Sequence, residues 1–344
     1  MNDIVNLFLK LVQIDSPSGH EQVMIEYVKN WLDKIGLTYQ VDSKGNILAK
    51  KPGIGSPILF CAHMDTVEPG QGIKPIVVNN KIIKSSEKTI LGADNKAAIA
   101  ALMVAVEESL SLKSFELLFT VDEENGNGLI KFPFNFIKSK IGFTFDSIKP
   151  IGSVILRSPY YHLFEAEFDG IASHSSIPEN GINALIPAIK ALNKIKVGSL
   201  DKDETTINIG LISGGTGVNV IPEKVIIKGE IRSYQKELFD FHLNRIKSIF
   251  KDSYLTTSGF APGYNYKKIS ILVKKIEKIY DLLSIKPLYY SYSPVSDANI
   301  LNSKGIEVIN LGDGVESAHT VNEQIKIDDL IKLKMIISNI LRSL

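Results

Sequence analysis

Apolar residues recur at helical spacing over residues 4–12 and again over 21–35, which predicts two amphipathic helices. Between them Ser16-Pro17-Ser18-Gly19 reads as a turn, and Ser18 with Glu21 has the spacing of a capping box for the second helix. A hairpin is expected around Ser43-Lys44-Gly45, and a second one in 70–88, turning at Asn79-Asn80. Short apolar runs then alternate with helical stretches: a buried strand at 57–62, a helix at 96–109 opening at Asp94, and strands at 115–121 and 141–145. Alternation of this kind predicts an α/β unit around a largely parallel sheet.

From about Pro159 the pattern changes. Strands at 161–169, 205–211, 224–231 and 254–261, with helices at 183–195 and 235–250, spell β-α-β-β-α-β. Helix and strand then alternate again: helices at 269–283, 297–303 and 327–342, strands at 286–290 and 308–311. The expected organisation is a discontinuous α/β domain over 1–157 and 266–344, carrying an inserted α+β domain over 158–265.

Composition narrows the function classes. The 344 residues include 39 basic and 38 acidic side chains, for a net charge of +1, so there is no electrostatic footprint for nucleic acid or an anionic membrane. The single cysteine, Cys61, excludes an internal disulfide framework and fits a reducing compartment. The start Met1-Asn2-Asp3 lacks a basic signal region. The most apolar helical stretch, 97–106, is half the roughly 20 residues of a membrane span. A cytoplasmic protein is expected.

The candidate chemistry sits where strands end. Cys61-Ala62-His63-Met64-Asp65-Thr66 puts a histidine and an aspartate on one face, so that a carboxylate could orient an imidazole bound to a metal. Asp94 follows Gly92-Ala93, Glu123-Glu124 follow the strand at 115–121, Asp146 follows the run at 141–145, and His319-Thr320 lie near the C-terminus. Together they offer two histidines and three carboxylates for metal, plus a free glutamate for a water. Each alone has an ordinary reading: Asp94 as a helix cap, Glu123-Glu124 as a solvated strand end, Asp146 in an Asx turn, His319 in a loop. Ligands beyond the carboxyl ends of parallel strands are what such a sheet favours, and the ordinary readings do not predict that placement. Gly214-Gly215-Thr216-Gly217 lacks the lysine and helix of a phosphate loop. His20, His162 and His242 are assigned to core or surface rather than to metal.

In order along the chain, CAHMDTV, GADNKAA, TVDEENG, FDS, GIASHSSIPENGINA, GGTGVNVIPEK, EIRS, SDANI and AHTVNE resemble the M20 metallopeptidase family, and most of all its peptidase T (tripeptide aminopeptidase) branch. The resemblance covers almost the whole chain. It implies a zinc-peptidase-like α/β catalytic domain with an inserted ferredoxin-like lid or dimerisation domain. It further implies two divalent ions, zinc expected and cobalt or manganese as alternatives, with His63 and Asp146 on one, His319 and Glu124 on the other, and Asp94 bridging. Asp65 would orient His63. Glu123 would be the general base on the attacking water. His174 would stabilise the oxyanion, Asn219 would contact substrate, and Arg232 would grip a substrate carboxylate. Asn95 stands where many members carry a second acidic residue, and Asn125-Gly126-Asn127-Gly128 departs from the commoner continuation. The implied activity is release of the N-terminal residue from short peptides, by a homodimer joined through the lid. An N-acyl amino acid deacylase or carboxypeptidase is the alternative, and a non-catalytic metal-binding protein a further one.

Overall fold

A computed structural model describes residues 3–86, 88–109 and 113–343. Met1, Asn2 and Glu87 lie outside them, and with them the first residues of the expected N-terminal reading and one residue of the 70–88 segment. The chain divides into two compact units, one of residues 1–157, 266–292 and 296–344, the other of residues 158–265 and 293–295.

The first unit is built on a mixed sheet in the order Thr38–Val41, Ile47–Lys51, Lys113–Thr120, Ile54–His63, Ile141–Thr144, Glu307–Leu311, Ser153–Ser158, with Leu288–Ser291 also pairing Ser153–Ser158. Its centre is parallel: Ile54–His63 lies between Lys113–Thr120 and Ile141–Thr144, and Glu307–Leu311 continues in the same direction. Residues 58–63 are buried without a break, as expected for a strand covered on both faces. The expectation of a largely parallel sheet fails at the margins, where Ile47–Lys51 runs antiparallel to Lys113–Thr120 and Ser153–Ser158 antiparallel to Glu307–Leu311. Ser153–Ser158 was not among the expected strands. Its apolar run is only Val154-Ile155-Leu156 before Arg157, too short to carry a period.

Helix Ala93–Glu107 is buried on every side from Ala93 to Ala105. It packs against Asp3–Val12, Ile327–Ser343 and the central strand, so small side chains (Ala97, Ala98, Ala100, Ala101) let three neighbours approach. The hairpin of Pro75–Val78 and Ile82–Ser85 turns at Asn79 and Asn80, both at positive φ, as a type I′ turn requires. It joins a small second sheet with Val315–Glu316 and Gln324–Lys326. No described helix is long and apolar enough to cross a membrane.

The second unit is an antiparallel five-stranded sheet in the order Gly198–Leu200, Thr205–Gly214, Lys224–Ser233, Tyr160–Asp169, Tyr254–Ala261. Helices Leu185–Leu192 and Lys236–Ile249 complete the β-α-β-β-α-β order, with Gly198–Leu200 as an addition. Phe164, Ala166 and Phe168 alternate inward and meet Ile227, Ile231, Phe239, Ile246 and Phe250 in its core.

Candidate metal centre

The carboxyl ends of the parallel strands supply the site. His63 is the last residue of Ile54–His63, while Glu123 and Glu124 follow Lys113–Thr120 after the turn residue Asp122 at φ +53. Asp146 follows Ile141–Thr144, its N–H donating to Asn310 Oδ1 (3.0 Å) while Asn310 Nδ2 donates to its carbonyl (2.7 Å). Asp94 lies at the head of Ala93–Glu107 with non-helical torsions (φ −80, ψ 106), joined to Asn95 by a cis peptide. His319 sits in the turn before Gln324–Lys326, at φ +64.

These residues converge. One Asp94 oxygen lies 3.2 Å from His63 Nε2 and the other 3.4 Å from His319 Nε2. His319 Nε2 is also 2.8 Å from Glu124 Oε1. Ligand atoms of His63, Asp94 and Asp146 lie within 4.8 Å of one another, and so do those of Asp94, Glu124 and His319. The two groups share Asp94 alone. The donor set, imidazole plus carboxylate, suits a borderline divalent cation. The far nitrogen of His63, Nδ1, is 3.1 Å from the Asp65 carbonyl oxygen and 3.5 Å from its carboxylate, which leaves Nε2 facing the site.

Charge in the cluster is unbalanced. Burial, then neighbouring Asp146, push the Glu123 carboxyl well above its usual range. Burial and Asp94 do the same to Asp146. Burial opposes the charge on Asp94, yet hydrogen bonds to His319 and His63 hold it well below the usual carboxylate range. The same contacts, with Asp94 and Glu124, carry His319 up to about 10. Crowded carboxylates that raise one another are what cations relieve, so the residues fit a pair of metal ions.

Sequence reasoning missed the supports. Glu323 accepts the N–H groups of Leu91 (2.8 Å), Gly92 (2.8 Å) and Asp94 (3.1 Å), holding the loop that presents Asp94. Asp297 is buried and accepts from the Thr120 hydroxyl (2.6 Å). The signal for both was present, since Asp297 lies in SDANI and Glu323 closes AHTVNE. Ser18 and Glu21 do not form a capping box: the helix Gln22–Lys34 has no side-chain cap bond, and Ser18 Oγ donates instead to Asp65 Oδ2 (2.7 Å).

The remaining expected residues belong to the second unit. His174 pairs with Val220 through an isolated bridge, and Ser175 N–H donates to the carbonyl of the neighbouring Asn219 (2.9 Å), so these two expected residues are adjacent. His174 Nδ1 lies 2.7 Å from Ser176 Oγ. Arg232 gives Nε and Nη2 to the Glu230 carboxylate (both 3.0 Å) and Nη1 to the Ser293 carbonyl (2.9 Å), over the Tyr161 ring. His162 and His242 bond to Ser258 and Asp201, and neither joins a metal-type group among the described residues.

Fold and donor set together define a candidate two-metal centre at the carboxyl ends of a parallel sheet, and the relatives of the chain include peptide hydrolases. The peptidase dimerisation domain family matches residues 161–258. The aminopeptidase PepT of Bacillus cereus, whose crystal structure is known, is 30% identical, with 98% of this chain and 97% of that one covered and a TM-score of 0.89. A tripeptidase of Staphylococcus aureus is 29% identical over 99% and 97%, with a TM-score of 0.91. The uncharacterised YqjE of Bacillus subtilis is 33% identical over 94% of each chain. The chain belongs to the M20 peptidase family, and its structural neighbours include the PepT tripeptidases. Other curated relatives carry the names probable carboxypeptidase and succinyl-diaminopimelate desuccinylase.

Proposed function

We propose that the protein is a two-metal aminopeptidase that removes the N-terminal residue from short peptides, tripeptides first among them. The observation that carries this reading is the Asp94 carboxylate, with one oxygen on each histidine (3.2 and 3.4 Å). His63 and Asp146 would hold one ion, His319 and Glu124 the other, and Asp94 both. Zinc suits these donors best, with cobalt or manganese as alternatives. When bound, such ions acidify water and stabilise the charge that develops on the scissile carbonyl oxygen.

The chain's own groups do the rest. The Glu123 carboxylate accepts a proton from the attacking water and returns it to the leaving amine nitrogen; a carboxyl pushed up by burial is the stronger base for that task. Asp65 keeps the His63 ring turned, and its two oxygens accept the N–H groups of Glu123 and Glu124 (3.1 Å each). His174 serves as oxyanion donor, Asn219 as substrate contact and Arg232 as the grip on the peptide carboxylate, roles that rest on the family pattern. Residues 1–157 with 266–344 form the catalytic domain, and 158–265 the lid, through which two copies pair.

A matched panel tests the reading: dipeptides, tripeptides, longer peptides, N-blocked tripeptides and N-acyl amino acids, with zinc- or cobalt-loaded protein. Release of the first residue from free tripeptides, abolished by N-blocking and by chelator, is expected. The carboxypeptidase and desuccinylase names favour a second reading, removal of an acyl group or a C-terminal residue. Cleavage of N-acyl amino acids with free tripeptides untouched would establish it instead.

A further inference from the structure

Residues 14–21 are stitched to the end of the central strand. Ser16 Oγ donates to the Met64 carbonyl (2.8 Å), Thr66 N–H to the Ser16 carbonyl (2.9 Å), and Ser18 N–H to the Thr66 carbonyl (3.2 Å). The buried Lys96 ammonium donates to the Ile14 carbonyl (2.7 Å) and fixes the near end of the segment. Two side chains reach further. Ser18 Oγ donates to Asp65 Oδ2 (2.7 Å). The buried Glu21 carboxylate accepts the N–H of Gly19 (2.7 Å) and, across 101 residues of sequence, that of Asp122 (2.9 Å).

Three consecutive amides of the turn that delivers Glu123 are therefore held by two buried carboxylates. Asp122 N–H goes to Glu21, and Glu123 and Glu124 N–H go to Asp65. Asp122 has φ +53, a conformation uncommon for a non-glycine residue, which its hydrogen-bonded surroundings support here. Glu21 stands at the N-cap of the helix that follows, but neither its side chain nor that of Ser18 bonds to the helix's first amides, so these side-chain hydrogen bonds are directed elsewhere.

We propose that Ser18 and Glu21 are positioning residues for proton transfer: Ser18 aligns the Asp65 carboxylate, Glu21 holds the Asp122 amide, and together they fix the turn that aims Glu123. The proposal rests on the reading of Glu123 as the base. Misplacement of a reacting group by about 1 Å costs on the order of a hundredfold in rate.

The test uses the full-length, metal-loaded protein with S18A, S18T, E21A and E21Q. Threonine keeps the hydroxyl, and glutamine keeps an oxygen able to accept both amides. Assayed with metal at saturating concentration, S18A and E21A are expected to lower kcat about ten- to a hundredfold with KM unchanged. Backbone hydrogen exchange in the peptide spanning 118–128 speeds up in both, and S18T and E21Q restore most of the loss. Wild-type kcat and exchange in S18A and E21A overturn the proposal. So does a loss that S18T does not repair, or one that follows melting temperature across the set. If E21A does not fold, the S18A and S18T pair decides alone. Exchange reads the clamp independently of chemistry: an E123A protein with undiminished turnover would remove Glu123 as base while faster exchange in S18A still reports the clamp.

Discussion

The backbone that lets Asp94 face two imidazoles is held from behind. Glu323, whose own carboxyl is pushed up to about 7 by burial, receives three amides of the 91–94 loop. Gly92 within that loop has φ +66, which strains any side chain there, and a Cβ would come within 3.2 Å of Thr66, so that neighbour would have to shift. Glu323→Ala should therefore weaken metal binding by about 10–100-fold, the range for losing a group that orients a ligand. Competition against a chelator of known affinity measures this, and unchanged affinity would show that the loop holds itself. Glu123→Ala makes the opposite demand. Glu123 belongs to neither group of clustered ligand atoms. The variant should keep its metal while turnover falls about 10²–10⁴-fold, the usual contribution of a general base. A metal-loaded variant with wild-type turnover would take the role from it.

At the scale of elements, parallel strands ending side by side account for the convergence, and that much was legible in the chain. Apolar runs at 57–62 and 141–145 marked two of the strands, and polar residues after them marked the site. The strand Tyr254–Ala261 has the bounds the pattern predicts. Ser18 and Glu21 were not legible, because S-x-x-E has the same spacing whether it caps its own helix or reaches partners 47 and 101 residues away. Strand direction at the sheet margins was not legible either, since a period of two does not record the neighbour's polarity. Asp297 shows how an element's end meets the core. It occupies the first turn of helix Asp297–Ser303, where the helix dipole favours a negative charge. Burial wins, pushing its carboxyl from 3.8 up to about 6 despite the Thr120 hydroxyl and His63. The folded chain then keeps a proton that the unfolded chain has lost between those values. This contribution to stability is full below about pH 4 and is gone above about pH 6. Denaturant unfolding in chelator should show that decline, and Asp297→Asn should flatten it, with the amide oxygen still accepting from Thr120. An unchanged slope would place the titration elsewhere.

The whole molecule must reconcile a cluster of buried carboxylates and imidazoles with a second unit that carries an unfilled apolar edge. Because the proposed metal ligands come from five separate stretches of the chain, ions bound there would stabilise only the folded state, and chelation should lower the melting temperature as well as activity. Reloading should restore both, and a melting temperature indifferent to chelator would separate metal binding from folding. The second unit poses the other question. Gly198–Leu200 pairs only with residues 205–207 of Thr205–Gly214, so the outer edge of 208–214 has no strand partner among the described residues. Leu211 and Ile212 are 64% and 56% exposed beside it, on a strand that runs beyond its own core. An open edge with apolar side chains invites another chain to pair with it, and the dimerisation family match spans it. A stable pairing needs about 1,200 Å² or more of buried surface, which a row of backbone hydrogen bonds and two such side chains from each copy can begin to supply. Light scattering should give twice the 38.0 kDa of one chain. Leu211→Lys with Ile212→Lys, placing like charges opposite one another across a two-fold axis, should return the mass to that of a single chain while leaving the melting transition of the first unit intact. A doubled mass that survives both lysines would move the contact away from this edge, and a wild-type protein of single-chain mass at micromolar concentration would refute the homodimer.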